Sequence, residues 1–292
     1  MSIYYSVQDL IETAEREKKT ISQIVLQDQA AELQKPESAL YKTMRESYLV
    51  MRQSVVDGID PDMRSVSGLS GGSAYKMKRA VENGTTLCGR VFGCALVRAL
   101  AVSESNACMG KIVAAPTAGS CGILPAALLT VMEDRGLDER DVVMSLFTAS
   151  AFGMIIANNA SISGAQGGCQ AECGSASAMA AAALTELAGG TPKMAAHACA
   201  IALKNILGLV CDPVAGLVEI PCIKRNALGV ANAFVGAELA LAGIESAIPA
   251  DEVIVAMKRI GDMMPGSLKE TAEGGLAGTP TAIRLKKQIF GE

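Results

Sequence analysis

Apolar residues recur at helical spacing along most of the chain, and runs of strict apolar–polar alternation are few. Three periodic segments come first, at residues 7–18, 21–33 and 37–56. Ser6 with Asp9 (loosely) and Thr20 with Gln23 fit capping boxes at the heads of the first two, and the third follows Pro36. Each carries charge on one side, which predicts an outer layer or a docking surface. From Ser65 onwards, glycine-rich turns alternate with Ala-rich segments of helical length. These predict helices at 74–83, 87–108, 125–135, 141–158, 170–188, 193–210, 223–241, 251–264 and 281–289, with a short strand at 109–115. There is no internal repeat, long linker or low-complexity tail. The expected fold is all-α, with an N-terminal helical appendage over 1–64 and a helical catalytic domain over 65–292, or the two merged into one.

Composition sharpens this picture. Of 292 residues, 50% are hydrophobic and 19% charged, with no Trp and only 3% aromatics. Core bulk must come from Ala, Leu, Val, Ile and Met, and so many small residues predict close helix-on-helix packing. The net charge of -4, without a basic tract interleaved with aromatics, argues against nucleic acid. The N-terminus, from Met1 to Glu12, lacks the basic-then-apolar layout of a signal peptide. The longest apolar stretch, 142–157, is interrupted by Ser145, Thr148, Ser150 and Gly153 and falls short of the roughly 20 residues that a spanning helix needs. A buried core helix and a cytoplasmic protein are expected.

Four glycine-rich loops each lead into a helix: Ser70-Gly71-Gly72-Ser73, Pro116-Thr117-Ala118-Gly119-Ser120-Cys121-Gly122, Ser163-Gly164-Ala165-Gln166-Gly167-Gly168-Cys169 and Gly274-Gly275-Leu276-Ala277-Gly278-Thr279-Pro280. Helix N-termini present free N–H groups and partial positive charge, which suits a carboxylate or phosphate. A single such loop reads first as a tight turn between packed helices; four in one chain add weight to an anionic ligand without identifying it.

Nine cysteines, in a chain expected to stay in a reducing compartment, point to packing or a metal site rather than disulfides. Cys169 follows Gly167-Gly168 at a helix start, Cys211 ends a helix before Asp212-Pro213, and Cys222 opens a helix after Pro221. Helix N-termini favour thiolates. Cys88, Cys94, Cys108 and Cys199 lie in or at the ends of apolar helices and read as core. Cys121 and Cys173 stay open, Cys173 lying one turn after Cys169. Thiolates select zinc, copper or iron–sulfur, but neither zinc-finger nor ferredoxin spacing is present.

Around these residues the sequence resembles the α subunit of two-subunit, iron–sulfur-dependent L-serine dehydratases. The resemblance runs from Asp9-Leu10-Ile11-Glu12 through Ser70-Gly71-Gly72 with Lys76, Ala115 to Gly122, Gly167-Gly168-Cys169-Gln170-Ala171-Glu172, Cys211-Asp212-Pro213-Val214-Ala215-Gly216 with Pro221-Cys222, and Lys269-Glu270-Thr271-Ala272 with Gly274-Gly275-Leu276-Ala277. It implies an all-helical domain and a [4Fe-4S] cluster on Cys169, Cys211 and Cys222, leaving Cys173 and Cys121 aside. It also implies dehydration of L-serine to pyruvate and ammonia in amino-acid catabolism feeding gluconeogenesis. Iron would act as Lewis acid on the substrate hydroxyl, without pyridoxal phosphate. Some relatives close the cluster with a C-terminal cysteine, whereas this chain ends Ile289-Phe290-Gly291-Glu292. Single-chain relatives carry an additional Ser-Ser-His-Thr region, so a separate β subunit is expected, in an αβ heterodimer.

The expected substrate contacts are Ser70, Gly71, Gly72 and Ser73, and Thr117, Ala118, Gly119 and Ser120, through backbone N–H groups, with Asn159 and Arg225 as polar contacts. Lys76 and His197 are the catalytic candidates. His197, the only histidine, lies mid-helix among apolar residues, which also fits a hydrogen-bonded core histidine. Rival readings are a cysteine desulfidase on the same scaffold, an iron–sulfur electron carrier or redox sensor, and a purely structural helical partner.

Overall fold

The computed structural model describes residues 4–291; residues 1–3, part of the N-terminal segment weighed above, and Glu292 lie outside the described residues. Thirteen α-helices are present among the described residues. They are α1 (Val7–Glu17), α2 (Ile21–Glu32), α3 (Glu37–Asp57), α4 (Ser73–Glu82), α5 (Gly89–Ala107), α6 (Ile123–Arg135), α7 (Glu139–Asn159), α8 (Gly164–Gly167), α9 (Ser175–Leu187), α10 (Pro192–Lys204), α11 (Cys222–Leu241), α12 (Ala250–Met263) and α13 (Pro280–Phe290). The expected all-α class is what the chain adopts.

The architecture is organised around α9, whose residues from Ser175 to Thr185 are all buried. Helices α6, α7, α10 and α11 pack around it. Its run of Ser and Ala offers almost no bulk, so its neighbours come close. A Cβ at Gly236 on α11 would lie 2.8 Å from the Ala198 carbonyl of α10 and 3.2 Å from the Ala181 Cβ of α9. Polar ties cross the same contact, with Ser177 Oγ donating to the Gly229 carbonyl at 2.5 Å and Asn232 Nδ2 to the Ala202 carbonyl at 2.8 Å. Both bonds satisfy groups that would be costly to bury unpaired.

Helix α7 is long and apolar enough, by length and composition, to cross a membrane. Its Phe147, Phe152, Ile155 and Ile156 are buried in the core, as expected of the apolar stretch at 142–157. The first three helices cover this core: α1 packs on α10 and α12, α2 on α7, and α3 on α5 and α7. Their buried side chains belong to the same hydrophobic cluster as those of the later helices.

Caps follow the sequence. Ser6 accepts from the Asp9 amide, Thr20 and Gln23 form a reciprocal capping box, and Thr279 caps α13 with Pro280 in its first turn. Three expectations are corrected. Residues 109–115 form no strand, because no neighbouring segment pairs with them; the only bridge among the described residues joins Cys211 to Lys269. The helix expected at 193–210 stops at Lys204, where a turn with Gly208 at φ +85° diverts the chain. Cys211 therefore ends no helix but sits in an extended segment. Cys88 is exposed in the turn before α5, and Cys94 and Cys108 are only partly buried; Cys199 alone of those four is core.

Candidate functional site

Cys169, Cys211 and Cys222 arrive from three separate segments and are all buried. Cys169 follows Gly168, whose φ of +75° and near contacts admit no side chain: a Cβ there would lie 2.7 Å from Met264 Sδ and 2.9 Å from the Leu209 carbonyl. After Cys169 the chain makes a π-helical turn, Gln170–Gly174, before α9 begins. Such turns interrupt the regular register and are common at functional sites. Gln170 anchors this one, donating from Nε2 to the Met257 carbonyl at 3.0 Å and accepting from the Gly208 amide at 2.8 Å. The same Gly208 turn delivers Cys211.

Cys211 is held between two strips of backbone. Its amide donates to the Leu268 carbonyl at 2.9 Å, and its carbonyl accepts from the Glu270 amide at 2.8 Å. A Cβ at Gly164 would lie 2.8 Å from Cys211 Sγ. Cys222 opens α11, as expected. Arg225, one turn further, donates to the Val210 carbonyl and to Asp212 Oδ1, each at 2.8 Å. It also acts on the Cys169 thiol through a hydrogen bond and its charge.

The electrostatics of the three thiols differ. The hydrogen bond with Cys173, whose sulfur is 3.4 Å away, lowers the Cys169 pKa; burial opposes this and Arg225 assists it. Burial pushes Cys222 up to about 12 and also raises Cys211, and in both cases Cys169 and Glu172 add to the rise. At Cys222 burial therefore outweighs the lowering expected of a helix N-terminus. The thiols are near enough to feel one another's charge, yet no three His, Cys, Asp or Glu side chains among the described residues stand close enough to share a single ion. Soft donors set wider apart than one ion would need, with Gly164 packed against the Cys211 sulfur, suit a multi-iron cluster, whose metal charge would offset the cost of several buried thiolates.

The loop at 116–122 lies beside this space. Thr117 Oγ1 donates to Glu172 Oε1 at 2.5 Å, and Thr117 and Ser120 hydroxyls are 3.1 Å apart. Asn226 on α11 ties the loop down, donating to the Gly119 carbonyl at 2.7 Å and accepting from the Gly122 amide at 2.9 Å. Ala118, Gly119 and Ser120 form a single 3-10 turn.

The Ser70–Ser73 loop borders a recess of about 290 Å³ with Lys76, Glu219 and Lys224, on the flank of the Cys222 helix. Two of its four amides are engaged, the Ser70 N–H donating to Ser65 Oγ at 3.3 Å. Ser73 and Ala74 N–H groups donate to the buried Glu104 carboxylate at 2.9 and 3.0 Å, and the Ser70 hydroxyl donates to Glu219 Oε2 at 2.5 Å. Gly72 precedes α4 at φ +73°, and Gly71 packs on the Met63 carbonyl. The anion-binding capacity expected at the Ser73 end of this loop is thus taken by an internal carboxylate.

Two other candidates stand in structural bonds. Asn159 Nδ2 donates to the Tyr5 and Ile155 carbonyls, both at 2.9 Å, tying the N-terminal segment to the end of α7. His197 Nδ1 accepts from the Ser246 amide at 3.2 Å, and its Nε2 lies 3.6 Å from Glu245. The sequence reading missed the roles of Glu172, Asp212, Glu104 and Asn226. A signal existed for two: Glu104 is the single charge between Arg98 and Lys111, and Glu172 the single charge between Asp141 and Glu186. A lone acid in a buried small-residue run demands a partner.

The chain matches the family model described as serine dehydratase alpha chain over residues 16–277. It is 49% identical over 289 residues to the probable L-serine dehydratase alpha chain of Bacillus subtilis (strain 168), covering 99% of this chain and 96% of that one. The L-serine dehydratase alpha chain of Peptoniphilus asaccharolyticus is 41% identical over 98% of both chains. The L-serine dehydratase of Streptomyces coelicolor is 39% identical over 92% of this chain, which spans only 59% of that longer relative. With the thiols, the 116–122 loop and α11 all inside the matched span, the chain belongs to the serine dehydratase alpha-chain family.

Proposed function

We propose that this chain is the cluster-bearing α subunit of a cytoplasmic iron–sulfur L-serine dehydratase, a lyase that converts L-serine to pyruvate and ammonia without pyridoxal phosphate. The observation that carries the reading is that three buried thiols from three distant segments act on one another through their charge, in a chain of this family. Cys169, Cys211 and Cys222 would hold a [4Fe-4S] cluster. When bound, it would supply Lewis-acid chemistry toward the substrate hydroxyl, making water a better leaving group.

The chain's own residues do the rest of the holding. The 117–120 turn, pinned by Asn226, receives the substrate carboxylate at its N–H groups. Arg225 fixes Cys211 against Cys222 through Asp212. The Ser70–Ser73 loop and Lys76 shape the recess beside Cys222. His197 and Asn159 serve packing rather than proton transfer, and groups of a β subunit complete the site. The name alpha chain carried by the relatives supports such a partner.

Anaerobic co-expression with the β subunit, followed by iron counting and pyruvate assay, tests the reading. Each of Cys169→Ser, Cys211→Ser and Cys222→Ser is expected to lower iron content and abolish deamination. Full iron and unimpaired turnover in all three would sink it.

A further inference from the structure

Glu172 is half-buried one helical turn past Cys169, in the π-helical segment that leads into α9. Its carboxylate takes the Thr117 hydroxyl at 2.5 Å, and a Cβ at Gly119 would lie 2.7 Å from Oε1, so the carboxylate rests directly on the 116–122 loop. Its charge acts on Cys169, Cys211 and Cys222 alike, and it follows Cys169 by three residues. Among the described residues no ion pair reaches it; the Arg225 guanidinium is given to Asp212, the Val210 carbonyl and the Cys169 thiol. The other charged group acting on it is Glu270, of the same sign, and burial with Glu270 raises its pKa. A desolvated carboxylate in that setting favours any cation that enters.

We infer that Glu172 holds the α-ammonium group of the amino-acid substrate, while the 117–120 turn receives the carboxylate. The inference rests on the reading of the site given above. An L-amino acid presents a cation and an anion on one carbon, and the structure sets a lone carboxylate against a helical turn across the Thr117 hydroxyl. An ammonium seated there would turn the β-hydroxyl toward the thiols. Glu172 is then a specificity determinant: it separates amino acids from hydroxy acids of the same shape.

The test uses the anaerobically assembled enzyme with its β subunit, comparing wild type with Glu172→Gln. The Gln amide oxygen still accepts from Thr117 but lacks the charge. The probes are L-serine and 3-hydroxypropanoate, which has the same hydroxyl and carboxylate but no nitrogen. Losing a charge-assisted hydrogen bond should raise the KM for serine about tenfold or more. The inhibition constant of 3-hydroxypropanoate and the iron content should stay unchanged. A readout without turnover is the ligand-induced change in the Mössbauer spectrum, titrated with each probe; only the serine titration should shift. Thr117→Val, which unhooks the carboxylate, should show the same selective loss at smaller size. Equal effects on both probes, no effect on serine, or loss of iron from Glu172→Gln would each overturn the inference. Wild-type enzyme without iron or pyruvate formation would instead refute the parent reading.

Discussion

Arg225 donates to Asp212 Oδ1 at 2.8 Å, and both side chains are largely buried, 13% and 4% exposed. Because Arg225 is one turn past Cys222 and Asp212 follows Cys211, this pair sets the distance between two thiols. Asp212 Oδ2 extends the clamp by accepting from the Leu276 amide at 2.8 Å. Asp212→Ala leaves a buried guanidinium unpaired, a change that typically costs about 3–5 kcal/mol. The expected outcome is a lower melting temperature together with less iron per chain in the assembled protein. Asp212→Asn, which keeps the shape and loses the charge, should fall between. An Asp212→Ala protein with wild-type stability and iron would show that the clamp does not matter.

How much of this was legible beforehand depended on whether the determinant was local. The helices were, because spacing, caps and glycine punctuation act over a few residues: Thr20 with Gln23, and Thr279 with Pro280, stand where the sequence put them. The end of α10 was not, since residues 205–210 are apolar enough to continue a helix. They leave it because Gln170, far away in sequence, takes the Gly208 amide and the Leu209 carbonyl. The Ser73 amide, expected free, is taken for the same reason: Glu104, about 30 residues later, accepts from it and from Ala74. Long-range partners of this kind leave only the trace of an isolated charge in an apolar run.

The Glu104 cap gives a second prediction. Removing the carboxylate in Glu104→Ala strands two amides at the start of α4, where capping is worth about 0.5–2 kcal/mol. The urea midpoint should fall accordingly, and Glu104→Gln, which keeps an acceptor, should fall less. If both variants unfold with the wild type, the contact is not stabilising.

Glu186 supplies a pH dependence. It accepts from the Ser22 amide and from Thr148 Oγ1, joining α2 and α7 to α9, and burial raises its pKa. The folded protein therefore binds this proton more tightly than the unfolded chain. Its carboxylate costs no stability below the unfolded pKa of about 4.3, and the cost grows as pH rises through the folded value. Glu186→Gln can accept the same hydrogen bonds without ionising. It should melt above the wild type at pH 7–8, with the difference shrinking toward pH 4. A constant difference across that range would contradict the assignment.

Gly164 tests how closely the backbone is fitted to Cys211. A Cβ there would meet Cys211 Sγ at 2.8 Å and Glu270 Oε2 at 3.2 Å, too near for the thiol to keep its place. Gly164 sits at the start of α8 with an ordinary backbone conformation, so Ala adds no backbone strain and the effect falls on the Cys211 sulfur first and the Glu270 carboxylate second. Gly266→Ala is the matched control, since nothing lies within 4 Å of its added Cβ. Displacing groups that orient a metal ligand typically costs about 10–100-fold in metal affinity or activity. Gly164→Ala should thus bind iron more weakly under anaerobic reconstitution while unfolding within about 0.5 kcal/mol of the control. Equal iron affinity in the two variants would mean that Cys211 moves freely and that its present position is not the one that matters.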